Sequence, residues 1–408
     1  MTAAQHVEVD GHRLTLTNLD KVLYPGNGFT KAHVIDYYTR VAKWLLPHFA
    51  GRPVTMQRFP DGVRGKAFYE KDAPKYTPAW VNSTAVPRQA GGAPIRYICI
   101  DDLPTLVWCA NLASLELHPF LHLAGQLNSP TSMVFDLDPG EGADLVSCAE
   151  VAFLLRALLQ QAGFECFPKV SGSKGLQLYV PLNTPVTYAQ TRSAAQSAAQ
   201  ILERQHPKLV VSEMARERRR QKVFIDWSQN SDFKTTVGVY SLRAKSDVPY
   251  VSAPVAWDEL ERLERRAPDL LRFQPDALLK RIREMGDLFA PLLKMKQSLS
   301  PITDKNSVLR ADETKTTINA PSKTISPAKL RGAQPAATSP QFIEPMLLLK
   351  TNKLPEGKDW LYEIKLDGYR ALALKSKGQV RLRSRNDKDF SRQFGPLFGH
   401  LKRCRTKR

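Results

Sequence analysis

The chain has 408 residues, 42% of them hydrophobic, and its 59 Lys and Arg outnumber 40 Asp and Glu for a formal net charge of +19. That length exceeds one ordinary core and points to two or three domains, while the charge points to a polyanionic partner, most simply nucleic acid. No apolar run is long enough for a bilayer, the start MTAAQHVEVDGHR lacks a signal peptide's apolar centre, and the five scattered cysteines form no C-x-x-C pair. These features exclude a disulfide scaffold and a cysteine zinc site, and they predict no membrane association and a cytoplasmic, nucleoid-associated location. The terminal LKRCRTKR supplies only five of the nineteen net charges, so the basic character belongs mainly to the body.

Residues 1–296 read as a mixed α and β domain. Helical spacing runs over 31–49, with Val34, Tyr37, Tyr38, Val41, Trp44 and Leu45 on one stripe. A strand TSMVFDLD (131–138) is followed by a helix over 148–163 stopped by Gly163, then by a strand GLQLYVPL (175–182). A helix over 187–206 has Thr187 as its N-cap, and strands KLVVS (208–212) and KVFIDW (222–227) come next. Residues 297–338 are rich in Ser, Thr, Pro, Ala and Lys, cannot bury enough surface to fold, and are expected to be a disordered linker. Order resumes over 339–408, with FIEPMLL and WLYEIKLDGYRALALKSKGQVRLRSRN.

Within VFDLDPGEG, alternation along a strand puts Asp136 and Asp138 on one face and Leu137 on the other. Two like charges side by side repel unless something positive lies between them. An isolated Asp-x-Asp is most often a solvated strand end, but three further features gather around this one. Asp226 ends a second strand, and the small residues Ser171, Gly172, Ser173 and Gly175 with Lys174 form a loop whose N–H groups can approach an anion. Arg243 can bind phosphate through its fork. Carboxylates for metal beside Ser, Lys and Arg for phosphate are what nucleotidyl transfer needs. Two divalent cations about 4 Å apart activate the attacking hydroxyl and neutralise the leaving pyrophosphate.

The strings TLTNLDKVLYP, FYEKDAP, LELHPF, VFDLDPGEG, VSGSKGL and KVFIDWSQNSDFKTTVGVYSLRAK, in this order, resemble the polymerase domain of bacterial DNA ligase D, of the archaeo-eukaryotic primase superfamily. The resemblance covers residues 10 to about 290. It implies an α+β primase-polymerase fold, mixed sheets flanked by helices. It also implies metal binding by Asp136, Asp138 and Asp226 (two ions, Mn²⁺ or Mg²⁺) and contacts from Ser171, Lys174 and Arg243 to the triphosphate of a nucleoside triphosphate substrate. His118 and Arg58 would lie at the nucleotide, Phe68 and Tyr69 would stack near the templating base, and Lys21 and Lys31 would grip a downstream 5′-phosphate. The implied partners are DNA with 5′-phosphorylated ends or gaps and the bacterial Ku end-binding protein. Two positions depart from the pattern: Gln177 stands where His is usual and Gln57 where a basic residue is common. Both weaken phosphate contact, because a neutral amide replaces a charged donor. The basic run ARERRRQK (215–222) is a solvated face or a phosphate contact through Arg219.

EIKLDGYR resembles the K-x-D-G-x-R motif of ATP-dependent DNA ligases, which implies Lys365 as the adenylated residue and Asp367, Gly368, Arg370 and Arg385 as companions, with ATP as co-substrate. The chain stops before the later ligase motifs, so 339–408 is expected to be a truncated adenylation domain, a partial nucleotidyltransferase (ATP-grasp-like ligase) fold without ligase activity. The expected function is template-directed, metal-dependent nucleotidyl transfer at DNA ends or gaps in non-homologous end joining. A non-catalytic end-bridging module and a working ligase are the alternatives.

Overall fold

Short polar residues start the long helices. Thr30, Asp144 and Thr187 each accept a hydrogen bond from the backbone N–H three positions on, in the capping-box arrangement. The computed structural model describes residues 4–88, 91–263, 271–299, 363–366, 369–376, 379–384 and 389. Two units are distinguished, Met1–Thr316 and Thr317–Arg408.

The first unit opens with two hairpins, β1 (Gln5–Val9) with β2 (His12–Leu16) and β3 (Val22–Tyr24) with β4 (Phe29–Thr30), and enters helix α1 (Lys31–Phe49). Strands β5 (Pro53–Arg58), β6 (Phe68–Glu70), β7 (Ser83–Val86) and β8 (Ile95–Cys99), helix α2 (Leu103–Asn111) and strand β9 (Ser114–Pro119) follow. They make an antiparallel sheet in which β5 has β9 on one edge and β6 and β8 on the other.

Next come β10 (Ser132–Pro139), α3 (Leu145–Gln161), β11 (Phe167–Val170), β12 (Leu176–Pro181), α4 (Tyr188–Gln205), β13 (Val210–Val211) and β14 (Val223–Asp226). The unit continues with β15 (Leu242–Arg243), β16 (Tyr250–Val251), β17 (Ala253–Pro254), α5 (Trp257–Glu261), α6 (Pro275–Met285) and α7 (Ala290–Lys294). The second sheet orders its strands β13-β14-β10-β12-β11-β17, antiparallel except for β13 with β14.

One continuous core joins the two sheets. The α1 stripe buries Val34, Tyr37, Tyr38, Val41 and Leu45, and the tyrosine hydroxyls find acceptors in the carbonyls of Tyr240 and Leu115. Beneath β10, α3 covers Leu137, whose carbonyl accepts from Cys148 Sγ. At the start of the same strand the side chain of Asn230 bonds both Val134 N–H and Val134 C=O, acting as a substitute neighbour where β14 has ended.

Several expectations need correction. α3 begins at Leu145, not 148, because the Asp144 cap adds a turn, and it still stops before Gly163 with φ +82. KLVVS contracts to the two residues of β13. Gln297 bonds Leu182, Glu165 and Pro181, and Leu299 packs on the core, so the first residues assigned to the linker belong to the domain. The rest of that linker, from residue 300, lies outside the described residues.

In the second unit β18 (Glu363–Leu366), β19 (Tyr369–Ser376) and β20 (Gln379–Ser384) form an antiparallel sheet in that order, with Lys365 opposite Arg370. Asp367, Gly368 and Arg385 lie outside the described residues. Among the described residues no helix is long and apolar enough to cross a membrane.

Candidate active site

Register puts the acidic residues together. Across the second sheet, Asp136 of β10 stands opposite Asp226 of β14 on one side and Gln177 of β12 on the other, and Gln177 stands opposite Lys169 of β11. Asp138, two residues on, shares the Asp136 face. Burial and the neighbouring charges of Asp138 and Asp226 push the Asp136 carboxyl up to about 7, against a hydrogen bond from the Gln177 amide. Asp138 is raised as well, by burial and by Asp226, with Arg219 and Arg243 pulling the other way. Asp226 is held by its own loop: Oδ1 accepts from the N–H (2.9 Å) and hydroxyl (2.5 Å) of Ser228, and Oδ2 from Gln229 Nε2 (3.1 Å).

Among the described residues no three His, Cys, Asp or Glu side chains converge on one point as a ready cage. The aspartates share a face and feel one another's charge without closing. Hard oxygen donors that repel one another, on strands fixed by register, suit a divalent cation that would draw them together.

One wall of the cleft is the loop between β11 and β12. Ser171 Oγ accepts from the N–H groups of Ser173 and Gly175, both at 3.2 Å. Gly172 sits at φ +71, and a Cβ there would lie 2.7 Å from Arg243 Cγ; a Cβ on Gly175 would lie 2.6 Å from the carbonyl oxygen of Leu137. The glycines therefore let the loop press against Arg243 on one side and the aspartate strand on the other. Lys174 is exposed at the tip. The basic run contributes Arg219, whose guanidinium lies 3.7 Å over the ring of Phe224, the cross-strand neighbour of Asp138.

The first sheet supplies another wall. His118 of β9 donates from Nε2 to Glu116 Oε2 at 3.0 Å, the same oxygen lies 3.2 Å from Arg243 Nη1, and Glu116 Oε1 accepts from Ala244 N–H at 2.9 Å. Tyr69 meets His118 edge-on at 6.0 Å. Glu116 is not among the residues expected from the sequence, although the alternation in LELHP puts it on the His118 face. Lys169 is a second addition. It is fully buried with its ammonium on Val237 C=O (2.8 Å) and Ser252 Oγ (2.7 Å), and no local pattern marks it.

Arg58, Phe68 and the Lys21–Lys31 pair are not brought to this cluster, whereas Tyr69 is. Arg58 turns to the opposite face from Gln57, pairing with Glu70 at 2.7 Å and Tyr76 at 2.9 Å, and so is not gathered with His118 and Arg243. Phe68 is opposite Arg58 and Tyr69 opposite Gln57, so the two aromatic rings leave β6 on opposite faces. Lys21 and Lys31 stand at a separate corner, the entry to α1, where Lys31 N–H donates to Lys21 C=O at 2.9 Å. Burial, with the charges of Lys21 and Arg58, brings the Lys31 ammonium down to about 8. Lys21 bonds Asp61 at 2.8 Å in a half-exposed pair.

Residues 30–289 match the family described as LigD, primase-polymerase domain, and residues 344–408 match the ATP dependent DNA ligase domain. The chain is 43% identical over 301 residues to the multifunctional non-homologous end joining protein LigD of Mycolicibacterium smegmatis, covering 73% of this chain and 38% of that protein. It is 34% identical over 276 residues to the bifunctional LigD protein of Bacillus subtilis, covering 67% and 43% respectively. The chain thus spans about two fifths of the length of these relatives. Among solved structures it is similar to the polymerase domain from Mycobacterium tuberculosis Ligase D in complex with DNA, with a TM-score of 0.65 and 42% identity over 70% of this chain and 99% of that one. On this family match, the identities and the shared fold, the chain belongs to the LigD primase-polymerase domain family.

Proposed function

We propose that the first unit adds nucleotides to DNA ends or gaps under the direction of a template, as a step in non-homologous end joining. The observation that carries this is the pairing of Asp136 with Asp226 across adjacent strands, with Asp138 on the same face and a Ser-Lys-Gly loop pressed against them. Asp136, Asp138 and Asp226 would hold divalent cations, Mg²⁺ or Mn²⁺, which supply Lewis acidity at the attacking 3′-hydroxyl and the leaving pyrophosphate.

The remaining work falls to side chains of this chain. Ser171, Lys174 and Arg243 bind and orient the triphosphate, so that the α-phosphorus lies in line with the attacking oxygen. His118 meets the nucleotide from the first sheet, and Tyr69 offers an exposed ring to an unpaired base. Lys21, Lys31 and the N-terminus of the nineteen-residue α1 hold the 5′-phosphate of a downstream strand. Gln57 and Gln177 put neutral amides in the cleft, which favours an end-bridging role with slow chemistry as the second reading.

Primer extension on a gapped duplex separates the two. With Mn²⁺ or Mg²⁺ and ribo- or deoxyribonucleotides in turn, the polymerase assignment predicts incorporation that follows the template base and is stimulated by a downstream 5′-phosphate. Tight binding without incorporation under any combination leaves end bridging. For the second unit, an AMP mass increment on Lys365 after incubation with ATP and Mg²⁺ would show ATP-dependent adenylation, and its absence would match the expected lack of ligase activity.

A further inference from the structure

Glu116 does something that the assigned chemistry leaves unexplained. It is a carboxylate at 1% exposure in a cleft built for a polyanion, where a negative charge opposes the ligand. Its bonds hold the two side chains assigned to the nucleotide and the backbone beside one of them. Oε2 takes His118 Nε2 at 3.0 Å and Arg243 Nη1 at 3.2 Å, and Oε1 takes the N–H of Ala244, the residue after Arg243, at 2.9 Å. Burial acts to raise its pKa, but the His118 hydrogen bond and the Arg243 charge hold it down at about 2.

We propose that Glu116 is a positioning residue for nucleotide binding, fixing the guanidinium of Arg243 and the ring of His118 in the orientations that receive the triphosphate and the nucleoside. The proposal rests on the assignment of Arg243 and His118 to the nucleotide. The Nε2–H bond to Glu116 sets the His118 tautomer, leaving Nδ1 to accept a hydrogen bond when the ring is neutral. One arm of the Arg243 fork, Nη1, is tied to Glu116, and the remaining Nη N–H groups of the planar fork are left as donors for a phosphate oxygen. Tyr24 OH donates to Arg243 C=O at 3.0 Å and anchors the backbone. The Arg243 stem in turn supports the loop at Gly172. Glu116 on β9 of one sheet thereby sets the phosphate loop of the other. Its cross-strand neighbour Gln57 is neutral, so within this register row the carboxylate is left to Arg243 and His118.

The test compares the full chain with Glu116→Gln, Glu116→Asp, Arg243→Lys and the double variant Glu116→Gln/Arg243→Lys. Sodium tripolyphosphate binding is measured by calorimetry without metal, and KM and kcat for ATP with Mn²⁺ on a gapped duplex. Losing one charge-assisted contact held in both ground and transition states predicts tripolyphosphate binding about tenfold weaker in Glu116→Gln, with KM raised in proportion and kcat within about threefold. Glu116→Asp keeps the charge on a shorter stem and recovers part of the loss. In the Arg243→Lys background the same Glu116→Gln change costs less than about threefold, because both act through one contact. Equal tripolyphosphate affinity in wild type and folded Glu116→Gln overturns the proposal, as does a full tenfold cost that persists beside Arg243→Lys. If Glu116→Gln does not fold, Glu116→Asp decides: weaker binding than wild type supports the proposal and equal binding overturns it. A wild-type chain that binds no tripolyphosphate overturns the assignment of Arg243 to phosphate along with it.

Discussion

The two sheets bring carboxylates to the cleft and treat them in opposite ways. On β10 and β14, Asp136, Asp138 and Asp226 repel one another, and Asp136 is pushed up to about 7. On β9, Glu116 is more deeply buried yet held at about 2 by His118 and Arg243. Both groups see Arg243. The difference teaches how the surroundings of a buried charge reveal its role. An acidic group whose neighbours oppose its charge suits a cation, and one whose neighbours satisfy it suits a structural part.

Breaking each group in turn should move stability in opposite directions. The largest expected effect is on the satisfied side. Arg243→Ala leaves Glu116 buried and short of a partner, and unfolding in denaturant should show a loss of about 3 kcal/mol or more. On the repulsive side, Asp138→Asn relieves like-charge strain, so the metal-free midpoint should hold or rise. An equal loss from both variants would contradict the contrast.

The pH dependence sharpens it. Asp136 has a folded-state pKa of about 7, above its ordinary 3.8, so its contribution favours the fold below about pH 4 and is lost as pH rises toward 7. Glu116, at about 2 against an ordinary 4.5, favours the fold above that ordinary value and loses its contribution as pH falls toward 2. Melting curves of the metal-free protein should therefore decline less between pH 4 and 7 in Asp136→Asn than in wild type. An unchanged decline removes Asp136 as its source.

The smallest effect belongs to the separate lysine corner. Lys21→Ala and Lys31→Ala should each lower the log–log salt slope for binding a 5′-phosphorylated gap by about one unit, since each neutralises about one phosphate. Equal slopes on phosphorylated and unphosphorylated gaps would place the downstream phosphate elsewhere.

The aspartates were legible because strand periodicity and the turn after them are local properties: Asp136-Leu137-Asp138 needs only alternation to share a face. Helix starts were legible where a cap residue stood beside an apolar stripe, as at Thr187, and slipped where Asp144 extended α3 upstream. The pairing of Asp136 with Asp226, ninety residues apart, needed register, which belongs to the whole sheet. The placing of Arg58 apart from His118 was hidden for the same reason. A one-residue step from Gln57 reverses the face, and only the pairing of β5 with β9, which sets Gln57 opposite Glu116, reveals which face is the cleft. Lys169 was silent, since its acceptors Val237 and Ser252 come from distant turns.

The central claim is that the aspartates carry the chemistry while the cationic residues carry the affinity. Single-nucleotide addition to a gapped, 5′-phosphorylated duplex tests it most directly in wild type and in Asp136→Ala/Asp138→Ala, with DNA binding followed on the same samples. The account predicts that the double variant loses extension and binds DNA as tightly as wild type or more so, because metal ligands act on the transition state and positive residues on the phosphates. Extension by the double variant at the wild-type rate would contradict it.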